Sequence, residues 1–254
     1  MKNVVLSVAF ILLVASVCSA QSIFEFPQFV DGPLGGVFWA SAIAITNAGG
    51  PTTPVASGTI TLTGENGTPL NVQLYDENHV PTSNTFQLAG GQTKFFNSPV
   101  LNGGSSVLSL PFSLGFATVT SNVAVTGGLV FYEAGTTGLI GEAGVLSSTA
   151  LMRQGTVVVR DSNNDTGVAV VNPGSGTATL TFHLLDKTGA DIVPPVTRAL
   201  AANNHTSFFV SQLFPSVTSK IYGTMQIISN TPVASTALLF SLGSFATLPI
   251  FPLP

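Results

Sequence analysis

The run Asp161-x-Asn163-x-Asp165 sets three side-chain oxygens at alternate positions, the spacing with which a calcium-binding loop begins. The rest of that pattern is missing. Thr166 stands at the sixth position, where an EF-hand loop needs glycine for its sharp turn, and Asn172 stands at the twelfth, where it needs a bidentate glutamate. An Asx-rich polar turn accounts for the run without a metal. No metal ligand is therefore assigned, and calcium binding by Asp161, Asn163 and Asp165 is a question for titration.

His79, His183 and His205 are the only histidines, and no His-x-His or His-x-x-x-His pair occurs. A zinc or copper centre needs more than this, so the three are expected to be exposed or bonded to near neighbours. There is no G-x-S-x-G elbow and no H-E-x-x-H helix. Eleven carboxylates could still converge as a glycosidase pair, but Asp76-Glu77 reads as a turn, and Glu133 and Glu142 flank a Gly-Thr loop. No catalytic residue and no cofactor are assigned. Trp39, Tyr75, Tyr132 and Tyr222 could form a sugar-stacking platform, although Trp39 and Tyr132 lie in alternating strands where aromatics fill a core. Asn66, Asn164 and Asn204 begin N-x-[ST] sequons in expected turns and would carry glycans only in a host that glycosylates exported proteins.

What must position these groups begins with an export signal. Lys2, an apolar run from Val4 to Val17 and small residues near Ala20 read as a signal peptide over residues 1–20, cleaved to leave Gln21 first. The apolar run is short for a membrane span, and the mature chain offers no other candidate. Cys18, the single cysteine, goes with the leader, which removes disulfides and thiolate chemistry together. A lipid-anchored Cys18 is the alternative, although Ala15 and Val17 depart from the bacterial lipobox. Loss of Lys2 leaves six basic against eleven acidic residues. That balance argues against nucleic acid as a partner.

With 45% hydrophobic and 7% charged residues, 26 Gly and 16 Pro, the chain has the composition of short strands joined by many turns. Strands are expected near 23–30, 39–46, 59–63, 85–88, 93–96, 115–120 and 123–132. A second set is expected near 157–160, 167–171, 177–185, 196–201 and 206–210, followed by the counterparts of 115–120 and 123–132 and a final edge strand over 245–251. Asn66-Gly67 should turn a hairpin into Leu70–Tyr75, and Ala89-Gly90-Gly91 another between 85–88 and 93–96. The stretch from Gly135 to Ser148 reads as a Gly- and Thr-rich closing loop. Ser211–Pro215 reads as one helical turn.

The two sets are copies. Moving the later one back 108 positions puts Gly223 on Gly115, Ser229-Asn230 on Ser121-Asn122, Val233 on Val125 and Gly243 on Gly135. Asn172 matches Asn47, Phe208-Phe209 matches Phe95-Phe96, and His205 then meets Gln92. The expected architecture is all-β, with two tandem antiparallel β-sandwich units from an internal duplication, over residues 21–148 and 149–254.

FPQFVDG (Phe26–Gly32), GVAVVNP (Gly167–Pro173) and FFVSQLFP (Phe208–Pro215) resemble motifs of secreted bacterial proteins of unassigned role with tandem immunoglobulin-like or fibronectin-III-like sandwich units. The resemblance covers most of the mature chain and implies export and fold, with no active site. The first copy departs from it, with Asn47-Ala48 in place of Asn172-Pro173. The expected function is an exported, non-enzymatic structural, adhesive or interaction module, secreted or periplasmic or on a bacterial cell surface, with an unknown protein or glycan as partner. A carbohydrate-binding protein is the second reading and a carboxylate-pair hydrolase the third.

Overall fold

The computed structural model describes residues 22–102, 109–148, 151–161, 164–218, 220–241 and 244–253. The leader expected over residues 1–20 lies outside them, as does Gly243. A ten-stranded sheet contains β1 (Ser22–Leu34), β2 (Val37–Thr46), β3 (Ala56–Gly64), β4 (Leu74–Tyr75), β5 (Pro81–Thr82), β6 (Thr85–Leu88), β7 (Thr93–Asn97), β8 (Ser113–Ser121), β9 (Thr126–Gly135) and β10 (Gly138–Leu146). An eight-stranded sheet contains β11 (Met152–Asp161), β12 (Asn164–Asn172), β13 (Ala178–Asp186), β14 (Val196–Leu200), β15 (Asn204–Phe209), β16 (Ile221–Ser241), β17 (Ser244–Leu248) and β18 (Phe251–Pro252). The pairings within both are antiparallel.

Each sheet doubles over into two layers because one long strand belongs to both. β1 pairs with β8 and then, over Gly32–Leu34, with β2. β16 is 21 residues long; its first half pairs with β11 and β13, and its second with β12 and β17. Alternation along the strands fills the space between the layers. Phe24, Phe26, Leu62 and Val119 of one layer meet Ile43, Phe96, Leu129 and Phe131 of the other in the first sandwich. Val157, Phe182, Leu184 and Met225 meet Val168, Phe208 and Ala237 in the second.

The recurring residues are the joints of this frame. Asn47 and Asn172 are fully buried, and their amides donate to the carbonyls of Leu88 and Leu200, the last residues of β6 and β14. Asn122 accepts from the Ser57 amide and Asn230 from the Thr179 amide, tying the layer-crossing corner to β3 and β13. In the same corner Ser121 accepts from Val123 N and Ser229 from Thr231 N. Gly115 and Gly223 are glycines for want of space: a Cβ would lie 1.9 Å from the carbonyl oxygen of Thr63 or of Leu185.

Several expectations are corrected. β6 and β7 do not form a hairpin; β6 pairs with β3 and β7 with β2, so Ala89–Gln92 is a corner between layers. Leu70–Tyr75 does not return along β3 beyond a bridge at Pro69; Leu74–Tyr75 crosses to the other layer and pairs with β5 and β7. The stretch read as a closing loop contains β10, which pairs with β9. The expected strand over 245–251 divides into β17 and β18, which join different layers. The expected helical turn exists as α1 (Val210–Leu213). The copies also align one residue differently in β7 and β15. Ile43 faces Phe96 as Val168 faces Phe208, so Phe96 corresponds to Phe208 and Thr93, not Gln92, to His205. A slip of one residue reverses every side chain in a strand, and Phe96 and Phe208 are the members that point into the cores.

Candidate functional site

The residues first considered for chemistry do not converge. Asn163 and the side chains of Asp161 and Asn164 lie outside the described residues. The Asp165 carboxylate accepts from the backbone amide and the hydroxyl of Ser211, at the start of α1. Among the described residues, no three His, Cys, Asp or Glu side chains gather as a metal site. Asp76 caps its own turn through Asn78 N and Val80 N. Glu133 faces Gly141 across the ladder while Glu142 faces Tyr132, so the two carboxylates project to opposite faces of the layer. Asn66 is exposed and bonds within its turn to Thr68.

His79 is exposed in a turn with positive φ, and His183 is held by Asp191 at 3.0 Å. His205 contradicts the expectation of an exposed or locally bonded histidine. It is only 3% exposed, and its Nε2 lies 2.8 Å from Oε1 of Gln28, in the other sandwich. Burial pushes its pKa down to about 4, against the opposing effect of the Pro27 carbonyl.

His205 belongs to a seam where the sandwiches meet. In β1, Pro27 and Gln28 oppose the single residue Phe116, a bulge that re-aims Gln28. Phe116 stacks on the His205 ring and clusters with Val171 and Ala234. The Glu65 carbonyl accepts from the His205 amide, and the Glu65 carboxylate lies 3.9 Å from Nδ1. Further along, Trp39 packs on Phe240 and Phe245, with ring centroids 6.3 and 5.7 Å away. Trp39 is thus half-buried between the sandwiches and is not displayed on an open flat face. Leu238 and Phe245 of the second copy join the core of the first. The sequence carried one signal of this. The run Ala237-Leu238-Leu239-Phe240 is apolar without interruption, the mark of a strand buried on both faces.

Two acids are buried in the first sandwich. Glu25 accepts from the Thr118 hydroxyl at 2.6 Å, and its main chain bonds to Ser148. Burial raises its pKa to about 7, and the Thr118 bond opposes the rise. Asp31 is also raised by burial, against bonds from Ser98 and the Val100 amide that lower it. Ser98 in turn accepts from Ser41 N, and Ser41 bonds both polar groups of the Val30 main chain. Glu25 and Asp31 lie six positions apart on one extended strand, a separation of about 20 Å. That exceeds the ~5–10 Å of a glycosidase pair.

Along the seam lies a cavity of about 210 Å³ bounded by Trp39, Phe112, Leu238 and Phe240, with the side chains of Gln28 and Gln212 at its wall.

No model of a known protein family matches the chain, and no curated protein matches it. A solved structure of the pilus backbone (RrgB) from Streptococcus pneumoniae aligns over 92% of this chain and 97% of its own at 10% identity, with a TM-score of 0.18. A score that low carries no argument about the fold. The all-β architecture of two antiparallel sheets rests on the strand pairings themselves.

Proposed function

We propose that the protein is an exported, non-enzymatic structural or interaction module of bacterial secreted, periplasmic or cell-surface location, built from duplicated units over residues 21–148 and 149–254. One observation supports it above others. The three titrating side chains buried in the cores and the seam are employed as ties: Glu25 to Thr118, Asp31 to the Ser98–Val100 turn, and His205 to Gln28. A catalytic group needs reach to a substrate in a cleft, and these are turned into joints. No helix among the described residues is long and apolar enough to cross a membrane.

The test is recovery of the chain from its producing cells. Intact mass should begin at Gln21 in an exported fraction, and the protein should be inert toward glycoside and peptide substrates. Retention of Met1 in the cytoplasm, or turnover abolished by Glu25→Gln or Asp31→Asn, would overturn the reading.

Sugar binding is the second reading, and it now rests on Tyr222, which is 53% exposed and has exposed Val158 diagonally across from it on β11. A glycan-array signal lost in Tyr222→Ala would favour it over the first.

A further inference from the structure

We infer that the cavity at the seam is a binding site for a small uncharged molecule, an aromatic or alicyclic ring carrying one hydrogen-bond-accepting oxygen. This goes beyond the structural reading and does not depend on it. Three properties of the cavity define the ligand.

Its size comes first. A cavity of ~150 Å³ lined by apolar side chains stays dry and takes up benzene. At about 210 Å³ and open to solvent on one side, this one has room for one ring and a short substituent, about eight non-hydrogen atoms inside it by the same scaling.

Charge comes second. Its lining includes Trp39, Phe112, Leu238 and Phe240, and contains no Asp, Glu, Lys, Arg or His. An ion entering would lose hydration without a counter-charge. Carboxylates and amines of the right shape are therefore bound more weakly than uncharged molecules.

Polarity comes third. Gln28 and Gln212 both line the cavity, and each has its amide oxygen engaged elsewhere, with His205 Nε2 at 2.8 Å and with the Phe209 amide at 2.9 Å. Each amide nitrogen can donate toward the cavity, and the hydroxyls of Ser207 and Thr236, which also line it, can donate beside them. A ketone, ester or ether oxygen complements them, and a few such polar groups in an apolar pocket are what orient a small ligand.

Trp39 is the only tryptophan in the chain and lines the cavity, so its emission reports on occupancy. The probes are 4-fluoroacetophenone and 4-fluorobenzoate, close in shape and different in charge. Titration of the mature chain should broaden the fluorine resonance of the ketone and change Trp39 emission saturably at millimolar concentrations or below. The benzoate should do both more weakly. Ala169, a lining residue on β12, offers a way to fill the space. Ala169→Leu, with its fold checked by circular dichroism, should weaken ketone binding by about tenfold or more, as lost volume cannot be recovered in a packed site. Should that variant not fold, Gln212→Leu at an exposed position removes one donor and should weaken the ketone while sparing fluorobenzene. Absence of saturable binding by the ketone overturns the proposal. So does equal binding of the benzoate, or unchanged affinity in folded Ala169→Leu or Gln212→Leu.

Discussion

His205 Nε2 and Gln28 Oε1 lie 2.8 Å apart although 177 residues separate them in the chain. The bond joins a bulge in the first sandwich to a strand start in the second, and it lies under the Phe116 ring. Truncation of His205 removes the bond, the stacking and buried volume together, whereas truncation of Gln28 removes mainly the bond. His205→Ala should lower stability by about 2–4 kcal/mol and Gln28→Ala by about 1 kcal/mol. Urea denaturation of the two single variants and the double variant should give a coupling of about 1 kcal/mol. A coupling of zero would remove the bond from the account of the seam.

Glu25 and His205 predict opposing responses to pH. Glu25 has a folded pKa of about 7 against 4.5 for the free group. The folded state holds the extra proton between those values, so stability is highest below pH 4.5 and falls as pH rises toward 7. His205 has a folded pKa of about 4 against 6.5. There the unfolded state holds the extra proton, and stability falls as pH drops from 6.5 toward 4. Each effect is on the order of 3 kcal/mol when complete. Over the shared window, from 4.5 to 6.5, the two slopes cancel. Glu25→Gln should be more stable than the parent at pH 8 and should expose the histidine slope. Melting temperature against pH for parent and variant checks the sign.

Asn47 and Asn172 should be equivalent in energy as they are in geometry. Replacement by Ala leaves the buried carbonyls of Leu88 and Leu200 without these donors, together with the part-buried carbonyls of Pro54 in one copy and of Gly176 and Ala201 in the other. Each unmet buried carbonyl costs about 1–3 kcal/mol. Both variants should therefore lose several kcal/mol, and chemical denaturation should find the losses alike within about 1 kcal/mol. A loss confined to one copy would break the equivalence.

Gly115→Ala and Gly223→Ala should be among the most damaging single-methyl additions in the chain. Each new Cβ would meet a strand carbonyl at 1.9 Å, so the ladder must open. Gly128→Ala, with open space around its Cβ position on β9, serves as the control. Soluble yield and melting temperature should fall by an amount equivalent to more than about 3 kcal/mol for the first two, and change little for the third.

Composition and alternation were enough to read an all-β chain in two copies, because both signals are local. Period-two patterns name strands, and Gly, Asn and Asp clusters name the breaks. The matched residues Asn47 and Asn172, or Gly115 and Gly223, were visible as a repeat before their hydrogen bonds and close contacts gave the reason for it. Local signals also misled. Ala89-Gly90-Gly91 has the composition of a hairpin turn, but β6 and β7 separate into different layers. A turn's residues permit a reversal of the chain without saying which edge the next strand will join.

The seam was decided by tertiary structure. His205 looked like a solvated histidine of a polar turn, and Gln28 like any residue of an alternating strand. Their meeting depends on a one-residue bulge, on the angle between two sandwiches and on Phe116 behind them, none of which is a property of a short window of sequence. The sequence by itself determined which residues could form strands, which turns could break them and that the set occurs twice. Which faces are covered twice, and therefore where Trp39, Phe240 and the cavity lie, follows from packing between segments far apart in the chain. Burial against a distant surface leaves little trace in local order beyond the unbroken apolar run at Ala237–Phe240.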